Sequence, residues 1–540
     1  MVTGSPLDLT GICANPVPGV IKIHPMLSRV CALVALLASA ATAHAEIVPP
    51  LVQAARSGDS GAVRTLLRQG GDVNAAASDG TTALHWSVRA DDAGTVSALV
   101  RAGANVKARS VHGVTPLTLA SENGNAAMIR LLLESGADVN DVDLAGETAL
   151  MAAVRAGNPA AVQVLVDRGA AVNVTEPQAK LTPLMLAVRE NQVAIMEILL
   201  TKGAVVEART RIGAKPAMRP PGAGGGSHGV GIVRGGVPPQ GQQPATPGGM
   251  TPLLYASREG RLEAAHRLIE AGADLNAVDA NGITPLLMAL SNNQTDVARF
   301  LLRRGANPNT ADQWGRTPLW SAVDVRNLDL DSRTFQNGVD RGPVLELIGE
   351  LIDKGADVNA RVTEFTPERR HMMPLGSLAW VDVTGQTAFI RAALSADLPL
   401  MRLLLSKGAD PNLATFNGTT ALMAAAGVNW VVGQTYPPLA PPVTGSESPS
   451  MWLQAVQLCI ELGGDVNRAN AMGLSAIHGA ANRGSDDIIK LLARHGAKLD
   501  AKDKEGRTPL AWAEGVFLAT NSPVAKPSTI ALLQQLMGKS

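Results

Sequence analysis

The sequence predicts an all-α solenoid, in which short two-helix units stack along one direction. A helix-capping threonine and a helix-closing glycine recur in two columns that share a period of about 33 residues. The chain of 540 residues is 46% hydrophobic but only 3% aromatic, which suits many small cores better than one large core. Neither helix of a unit is long enough to be stable alone, so each unit must bury its apolar face against a neighbour.

The clearest unit is GMTPLLYASREGRLEAAHRLIEAGADLN, residues 249–276. Thr251 is a good N-cap, because its hydroxyl can accept a hydrogen bond from a first-turn N–H group, and Pro252 suits the first helical position. Gly260 ends this helix, and Gly272 suits the left-handed residue that closes a second one. The second helix has apolar residues at helical spacing on one face, namely Leu262, Ala265, Leu268 and Ile269.

The same two markers recur from one end of the chain to the other. The capping column is Thr82, Thr115, Thr148, Thr182, Thr251, Thr284, Thr317, Thr387, Thr420, Ser475 and Thr508. The closing column is Gly70, Gly103, Gly136, Gly169, Gly203, Gly272, Gly305, Gly355, Gly408, Gly463 and Gly496. Two independent columns with one period exclude coincidence and indicate a repeat architecture.

Each unit also carries two short motifs. The first is TALHWSV at residues 82–88 and TPLLYAS at residues 251–257, and the second is GADVN at residues 136–140 and 355–359. With these motifs the chain resembles ankyrin-repeat proteins, of an exported bacterial type, over nearly all of residues 47–540. The resemblance implies about twelve stacked units, each with two helices and a β-hairpin or turn, and a capping unit at either end.

The N-terminal region predicts export. Residues 26–45 have a positive Arg29, an apolar stretch and an Ala43–Ala45 cleavage motif, as in a secretory signal peptide. We therefore expect a periplasmic or secreted protein, with residues 1–25 as a mis-called extension. A buried helix at the start of the domain is the alternative. After this segment Cys459 is the single cysteine, so no intrachain disulfide is expected.

Four long intervals interrupt the period and predict insertions. Two of them separate one repeat from the next, and two separate the helices of one repeat. The predicted segments are N-terminal repeats at 46–208, a first insertion at 209–248 and C-terminal repeats at 249–540, with further insertions at 324–341, 361–384 and 427–450. The first insertion is rich in Gly, Pro and Gln, is basic and has no acidic residue, so we expect a disordered finger or linker.

Candidate binding residues come from positions that the repeat leaves free. The position four after the capping threonine is expected to face a concave groove, and there it carries Trp86 and Tyr255. The position seven after the capping residue is basic in four of the first five full repeats, and its arginines include Arg155, Arg189 and Arg258. Such a ladder would favour carboxylate-rich partners, because guanidinium groups match carboxylates bidentately. An ordinary solvated helix face is the alternative.

Aromatic residues concentrate between positions 314 and 452, where three of the four insertions lie. Trp and Tyr on exposed loops are typical binding hot spots. The predicted anchors are Trp314, Trp320, Trp430 and Tyr436. The alternative is that the insertions fold back and use these rings as small cores of their own.

Nothing in the sequence has the spacing of a nucleophile–base pair or a metal site, so neither an enzyme activity nor a cofactor is expected. The resemblance implies that His85 and His478 brace their turns. The 47 basic and 47 acidic residues cancel, which gives no reason to expect a nucleic-acid partner. We therefore expect a monomeric scaffold that binds a protein partner. A secreted effector that binds host proteins, and an enzyme whose site is built from the insertions, are the alternatives.

Overall fold

The computed structural model describes residues 48–213, 248–327, 341–363, 384–428, 450–516 and 524–538. The predicted extension and signal peptide lie outside these residues, as do Trp430 and Tyr436. The chain divides into two compact units, Met1–Val111 and His112–Ser540, and each is described by itself. Within the described residues there are 24 α-helices in twelve consecutive pairs, and the β-structure is limited to isolated bridges.

The first unit contains two helix pairs: α1 (Pro50–Arg56) with α2 (Ser60–Arg68), and α3 (Ala83–Arg89) with α4 (Ala93–Arg101). First helices pack on first helices, α1 against α3, and second helices pack on second helices, α2 against α4. The first pair has no Thr-Pro start, as the sequence indicates for an N-terminal cap, and it buries Leu51, Val52 and Val63.

The second unit contains ten pairs, in which consecutive first helices pack on one another and most consecutive second helices do so too. They are α5 (Pro116–Glu122) and α6 (Ala126–Glu134); α7 (Ala149–Ala156) and α8 (Pro159–Asp167); α9 (Pro183–Arg189) and α10 (Val193–Thr201); α11 (Pro252–Glu259) and α12 (Leu262–Glu270); α13 (Pro285–Ser291) and α14 (Thr295–Arg303); α15 (Pro318–Arg326) and α16 (Arg341–Asp353); α17 (Ala388–Leu394) and α18 (Leu398–Ser406); α19 (Ala421–Ala426) and α20 (Met451–Glu461); α21 (Ala476–Arg483) and α22 (Asp486–Arg494); α23 (Pro509–Glu514) and α24 (Pro527–Leu536).

The markers predicted from the sequence start and stop these helices. The Thr251 hydroxyl accepts the backbone N–H of Leu254 at 3.3 Å, and Pro252 is the first residue of α11. Gly272 has a φ of 92°, in the left-handed region, and a Cβ atom there would meet nothing within 4 Å. The closing glycine is therefore required by the backbone conformation and not by lack of space.

In most repeats an asparagine four residues after the closing glycine bonds to the next repeat. The Asn140 side chain donates to the carbonyl of Gly169 at 3.1 Å, and its oxygen accepts the N–H of Ala171 at 2.8 Å. Two hydrogen bonds from one side chain thus satisfy backbone groups in the turn one repeat further on. This pairing explains why the GADVN motif ends in asparagine.

The hairpins form fingers that stack on one another. In the second unit the N–H of Leu144 donates to the carbonyl of His112 at 3.1 Å, and the N–H of Phe416 donates to that of Thr384 at 3.0 Å. Gly146 has φ of 78°, and a Cβ atom on it would lie 2.3 Å from the ring of Pro177 on the following finger. Glycine is needed there because the next finger occupies the space.

The repeat register continues further into the predicted insertions than the sequence indicated. Helix α15 runs through Asp324 to Arg326, so the interval predicted at 324–341 begins with helix. Val362 and Val428 are buried although they fall in predicted insertions. These residues still contact neighbouring repeats, which extends the regular structure by two to four residues.

Two buried ion pairs join the repeats that contain α15 and α17. The Nε of Arg326 lies 2.8 Å from Oδ2 of Asp397, and the Nε of Arg391 lies 2.9 Å from Oδ1 of Asp324. Arg391 also donates to the Ser395 hydroxyl at 2.7 Å. Asp397 additionally caps α18 by accepting the N–H of Leu400 at 3.3 Å. This network is not predictable from sequence patterns, because the residues that it joins across the two repeats are 64 to 71 positions apart.

Histidine braces two turns, as the resemblance implies. In the second unit the N–H of Ser475 donates to Nδ1 of His478 at 3.2 Å, and Nε2 of His478 lies 3.1 Å from the carbonyl oxygen of Ala501. Since Nδ1 is the acceptor, the proton is on Nε2, and the neutral ring bonds to two backbone groups. In the first unit the N–H of Thr82 donates in the same way to Nδ1 of His85 at 3.2 Å.

Removing one partner of the Arg326–Asp397 pair should be costly. We expect Arg326→Met to lower the free energy of unfolding by about 3–5 kcal/mol, because the Asp397 carboxylate stays buried without its partner. Arg326→Met with Asp397→Asn should recover most of this loss, since the asparagine is uncharged and can still accept the Leu400 N–H. Arg168→Met, which breaks the exposed Arg168–Glu134 pair, should cost less than about 1 kcal/mol. Urea and thermal unfolding measure the stability of all three variants. Equal losses of unfolding free energy in Arg326→Met and Arg168→Met would contradict the prediction.

Acid should weaken the turn braced by His478. Burial lowers the pKa of His478 below its ordinary value of 6.5, so the fold favours the neutral ring. The resulting stability is complete above the unfolded-state pKa and is lost as the pH falls below it. We expect the thermal midpoint of the wild type to fall more between pH 7.5 and pH 5.5 than that of His478→Gln. Equal shifts in the two proteins would show that this histidine does not sense acid.

Candidate functional site

The position four after the capping residue was expected to face a groove, and for most repeats this is wrong. In the second unit this column is buried; Tyr255, for example, is 8% exposed. The reason is that neighbouring first helices, such as α9, α11 and α13, pack side by side and enclose these side chains between them. In the first unit Trp86 is half-buried, donates to the Thr81 hydroxyl at 3.2 Å and lies beneath Arg56.

The position seven after the capping residue remains on the surface. In the second unit Arg155 and Arg189 are exposed, and Arg258 is half-buried. They are at or next to the C-terminal ends of α7, α9 and α11, three first helices that pack in succession. We call the surface formed by Arg189, Tyr255, Arg258 and Arg261 the arginine patch.

The arginines differ in how far their charge is neutralised within the chain. Arg155 pairs with Glu147, and the Nε of Arg258 lies 2.9 Å from Oε1 of Glu259. Among the described residues no hydrogen bond or ion pair engages the guanidinium group of Arg189. The arginines of the predicted ladder therefore differ in charge neutralisation, and Arg189, between Arg155 and Arg258, is the least neutralised of the three.

Tyr255 lies against Arg258 in this patch and is within the electrostatic influence of Arg189. The guanidinium carbon of Arg258 lies 4.9 Å from the centre of the Tyr255 ring, which is a cation–π contact. Burial raises the pKa of Tyr255, and the charges of Arg258 and Arg189 act in the opposite direction. The hydroxyl thus stays protonated at neutral pH and is a hydrogen-bond donor.

Of the predicted aromatic anchors, the structure describes Trp314 and Trp320. Trp314 is half-buried at the end of its finger, with the guanidinium carbon of Arg316 5.1 Å from its ring centre. Arg316 is itself fixed by Asp312, with 2.7 Å between Nε and Oδ2. Trp320 is only 6% exposed, because it takes the position of the bracing histidine in α15. Its ring is part of the core, which does not fit the exposed anchor that the sequence suggested.

Several finger residues that the sequence did not predict as binding residues are strongly exposed. Leu144 is 76% exposed, Ile212 is 60% exposed and Phe416 is 58% exposed, all in the second unit. The guanidinium carbon of Arg361 lies 5.6 Å from the ring centre of Phe416. A useful signal in the sequence is the position two before the hairpin glycine, since Leu144 precedes Gly146 and Phe416 precedes Gly418 in this way.

Reactive groups are few in the part of the chain that the structure describes. Burial raises the pKa of the Cys459 thiol to about 12, so the thiolate is not populated at neutral pH. No group of three His, Cys, Asp or Glu side chains in the described ranges is arranged to hold a metal ion. No described helix has both the length and the apolar character needed to cross a bilayer.

Comparison with known families matches most of the chain to one description. Residues 51–143, 139–210, 253–330 and 452–516 match the family "Ankyrin repeats (3 copies)". Residues 384–416 match the family "Ankyrin repeat". Together these ranges cover more than half of the 540 residues.

Individual relatives and solved structures match a smaller part of the chain than the family descriptions do. The potassium channel AKT1 of Oryza sativa, in the indica and japonica subspecies, is 47% identical over 55 residues, which is 10% of this chain and 6% of the channel. The ankyrin repeat domain of Bcl-3 is 27% identical, with a TM-score of 0.37, over 47% of this chain and 99% of that domain. The human ASB11 ankyrin repeat domain is also 27% identical, with a TM-score of 0.38, over 48% of this chain and 99% of that domain.

Proposed function

This chain belongs to the ankyrin-repeat family, and we propose that it is a non-enzymatic scaffold that binds a protein partner through its fingers and first-helix ends. Ankyrin repeats are generally protein–protein interaction modules. The proposal goes further, because it assigns contacts to particular surfaces of this chain. A bacterial partner and a partner in a host are both compatible with it.

The observation that carries the proposal is the exposure of apolar side chains on the fingers. Leu144, Ile212 and Phe416 are all more than half exposed, although apolar residues elsewhere in the repeats are largely buried. Exposed apolar and aromatic groups lose contact with water when a partner covers them, and aromatic residues such as Phe are enriched in the cores of protein interfaces. Trp314 adds a half-buried ring on another finger of the same unit.

The fingers are also held in place before any partner arrives. The N–H of Thr363 donates to the Trp314 carbonyl at 3.0 Å, and Phe416 and Thr384 are joined in the same way. Arg316 and Arg361 lie against the rings of Trp314 and Phe416. Because the backbone is already ordered, binding costs less conformational entropy than it would for a free loop.

Phe416 provides the sharpest test. We expect a photo-crosslinking residue at position 416, in the producing cell, to give one dominant protein adduct that mass spectrometry can identify. With that partner purified, Phe416→Ala should weaken binding by about 2 kcal/mol, the usual effect of a hot spot, without lowering the thermal midpoint. Trp314→Ala should also weaken binding, although loss of its contact with Arg316 can reduce stability slightly.

Leu262→Ala is the matched control, because Leu262 is a partly exposed apolar residue on a second helix, α12. It should leave the affinity for the captured partner unchanged. Absence of any adduct at position 416, or equal weakening by Phe416→Ala and Leu262→Ala, would argue against fingers as the binding surface.

We also propose that the protein is exported, with cleavage after Ala45. The signal-like composition of residues 26–45 supports this proposal. The first described helix begins at Pro50 and buries Leu51 and Val52, so cleavage after Ala45 would leave α1 intact.

N-terminal sequencing of the protein from its producing cell tests the export proposal. The expected mature end is Glu46, and cell fractionation should place that form in the periplasm or the medium. An Arg29→Glu variant should accumulate as precursor, because it removes the positive charge before the apolar stretch. A cytoplasmic protein that keeps residues 26–45 would contradict export.

A further inference from the structure

We propose that the arginine patch selects an acidic peptide segment of the protein partner, and that Arg189 and Arg258 bind its carboxylates. This inference rests on the proposed scaffold function and adds the chemical class of the partner. It concerns the surface of α9, α11 and the start of α12, all within the second unit.

The patch offers more hydrogen-bond donors than its own neighbours use. Within the described residues, the guanidinium group of Arg189 and the hydroxyl of Tyr255 make no hydrogen bond. Arg258 uses Nε for Glu259, which leaves its two terminal nitrogens to meet other acceptors. Arg261 donates from one terminal nitrogen to the Arg189 carbonyl at 3.4 Å, while its Nε is buried without a hydrogen-bond partner.

The nearby acidic residues do not balance these donors. The Glu176 carboxylate accepts the N–H groups of Gln178 and Ala179, each at 2.7 Å, and that of Leu181 at 3.1 Å. Burial by itself would raise the pKa of Glu176, but these bonds together hold it below its ordinary value. Glu147 is occupied by Arg155. Glu190 is exposed and Glu259 already pairs with Arg258, so although formal charges nearly cancel, the patch has more available donors than acceptors.

The geometry favours separate carboxylates over a continuous polyanion. Arg189 and Arg258 are the equivalent residues of two packed first helices, α9 and α11, so side chains of one extended peptide can reach both. The acidic residues Glu190 and Glu259 directly follow these arginines. A continuous phosphate backbone along the patch would have to pass both of them, whereas the spaced carboxylates of a peptide can contact the arginines and leave neutral residues beside the two glutamates. Between them, Tyr255 can donate to a carboxylate held by either guanidinium group.

Fluorescence anisotropy with the full mature chain tests the inference. The probes are three labelled peptides of equal length, in which serine alternates with glutamate, glutamine or lysine, and a single-stranded DNA oligonucleotide. We expect the glutamate peptide to bind most tightly, and its affinity to fall with added salt. Arg189→Gln and Arg258→Gln should each weaken it by about fivefold, which corresponds to an ion pair near the surface.

Arg303→Gln is the matched control, because Arg303 is an exposed arginine at the end of a second helix, α14. It should leave binding of the glutamate peptide unchanged, and Tyr255→Phe should weaken it without changing the thermal midpoint. A glutamate peptide that binds no better than the glutamine peptide would overturn the inference. Equal weakening by Arg303→Gln, or equally tight DNA binding that depends on Arg189, would also overturn it.

The proposed scaffold function and the proposed acidic partner are tested by different experiments, so one can be wrong while the other is right. Crosslinking from position 416 does not involve the arginine patch. If it captures a partner whose binding is unaffected by Arg189→Gln, the scaffold proposal stands and the acidic class is wrong. If the glutamate peptide depends on Arg189 but position 416 captures nothing, the patch binds acidic segments and the finger surface is wrong.

Discussion

Contact between neighbouring repeats within each compact unit is the constraint on which this structure depends. Helices of six to thirteen residues are too short to be stable in water, so each must bury one face against the next repeat. This requirement takes up nearly all positions on the first helices, including the column that contains Tyr255. What remains for binding is the helix ends, where Arg189 and Arg258 lie, and the finger tips. Stacking thus decides which residues are free to vary.

The fingers obey a second and more local constraint. Gly385 shows it best, because its φ is 79° and a Cβ atom on it would lie 2.4 Å from the backbone nitrogen of Phe416. Adjacent fingers therefore approach as closely as backbone atoms allow, and the side chains at their tips are left outside. The same Cβ atom would lie 2.8 Å from Cγ of Phe416, so the ring rests on Gly385 while 58% of the residue stays exposed. The close approach that holds the finger in place thus also positions the exposed ring.

The parts of the fold that depend on local chemistry were predictable from the sequence. Thr251, Pro252 and Gly272 act within one unit, and the family matches confirm the ankyrin solenoid that they predicted. The burial of Tyr255 and Trp320 was not predictable in this way, because it depends on how closely the first helices of different repeats pack. Exposure of Phe416 likewise depends on the preceding finger. The binding roles of all these residues stay predictions, since a lone sequence specifies the scaffold more directly than its partner.

The buried charges between α15 and α17 show why a strong departure from the repeat pattern is not by itself a binding site. Arg391 stands in a column that other repeats fill mainly with apolar side chains, so it invites a functional interpretation. Its partners are Asp324, Ser395 and the Asn327 carbonyl, which satisfy it within the chain. Buried ion pairs of this kind add little stability relative to apolar packing, and we infer that the directional bonds of this pair favour one register between the two repeats. The guanidinium group of Arg189 makes no such bonds among the described residues. Arg391 therefore stabilises the packing of two repeats, whereas Arg189 keeps its donors available to another protein.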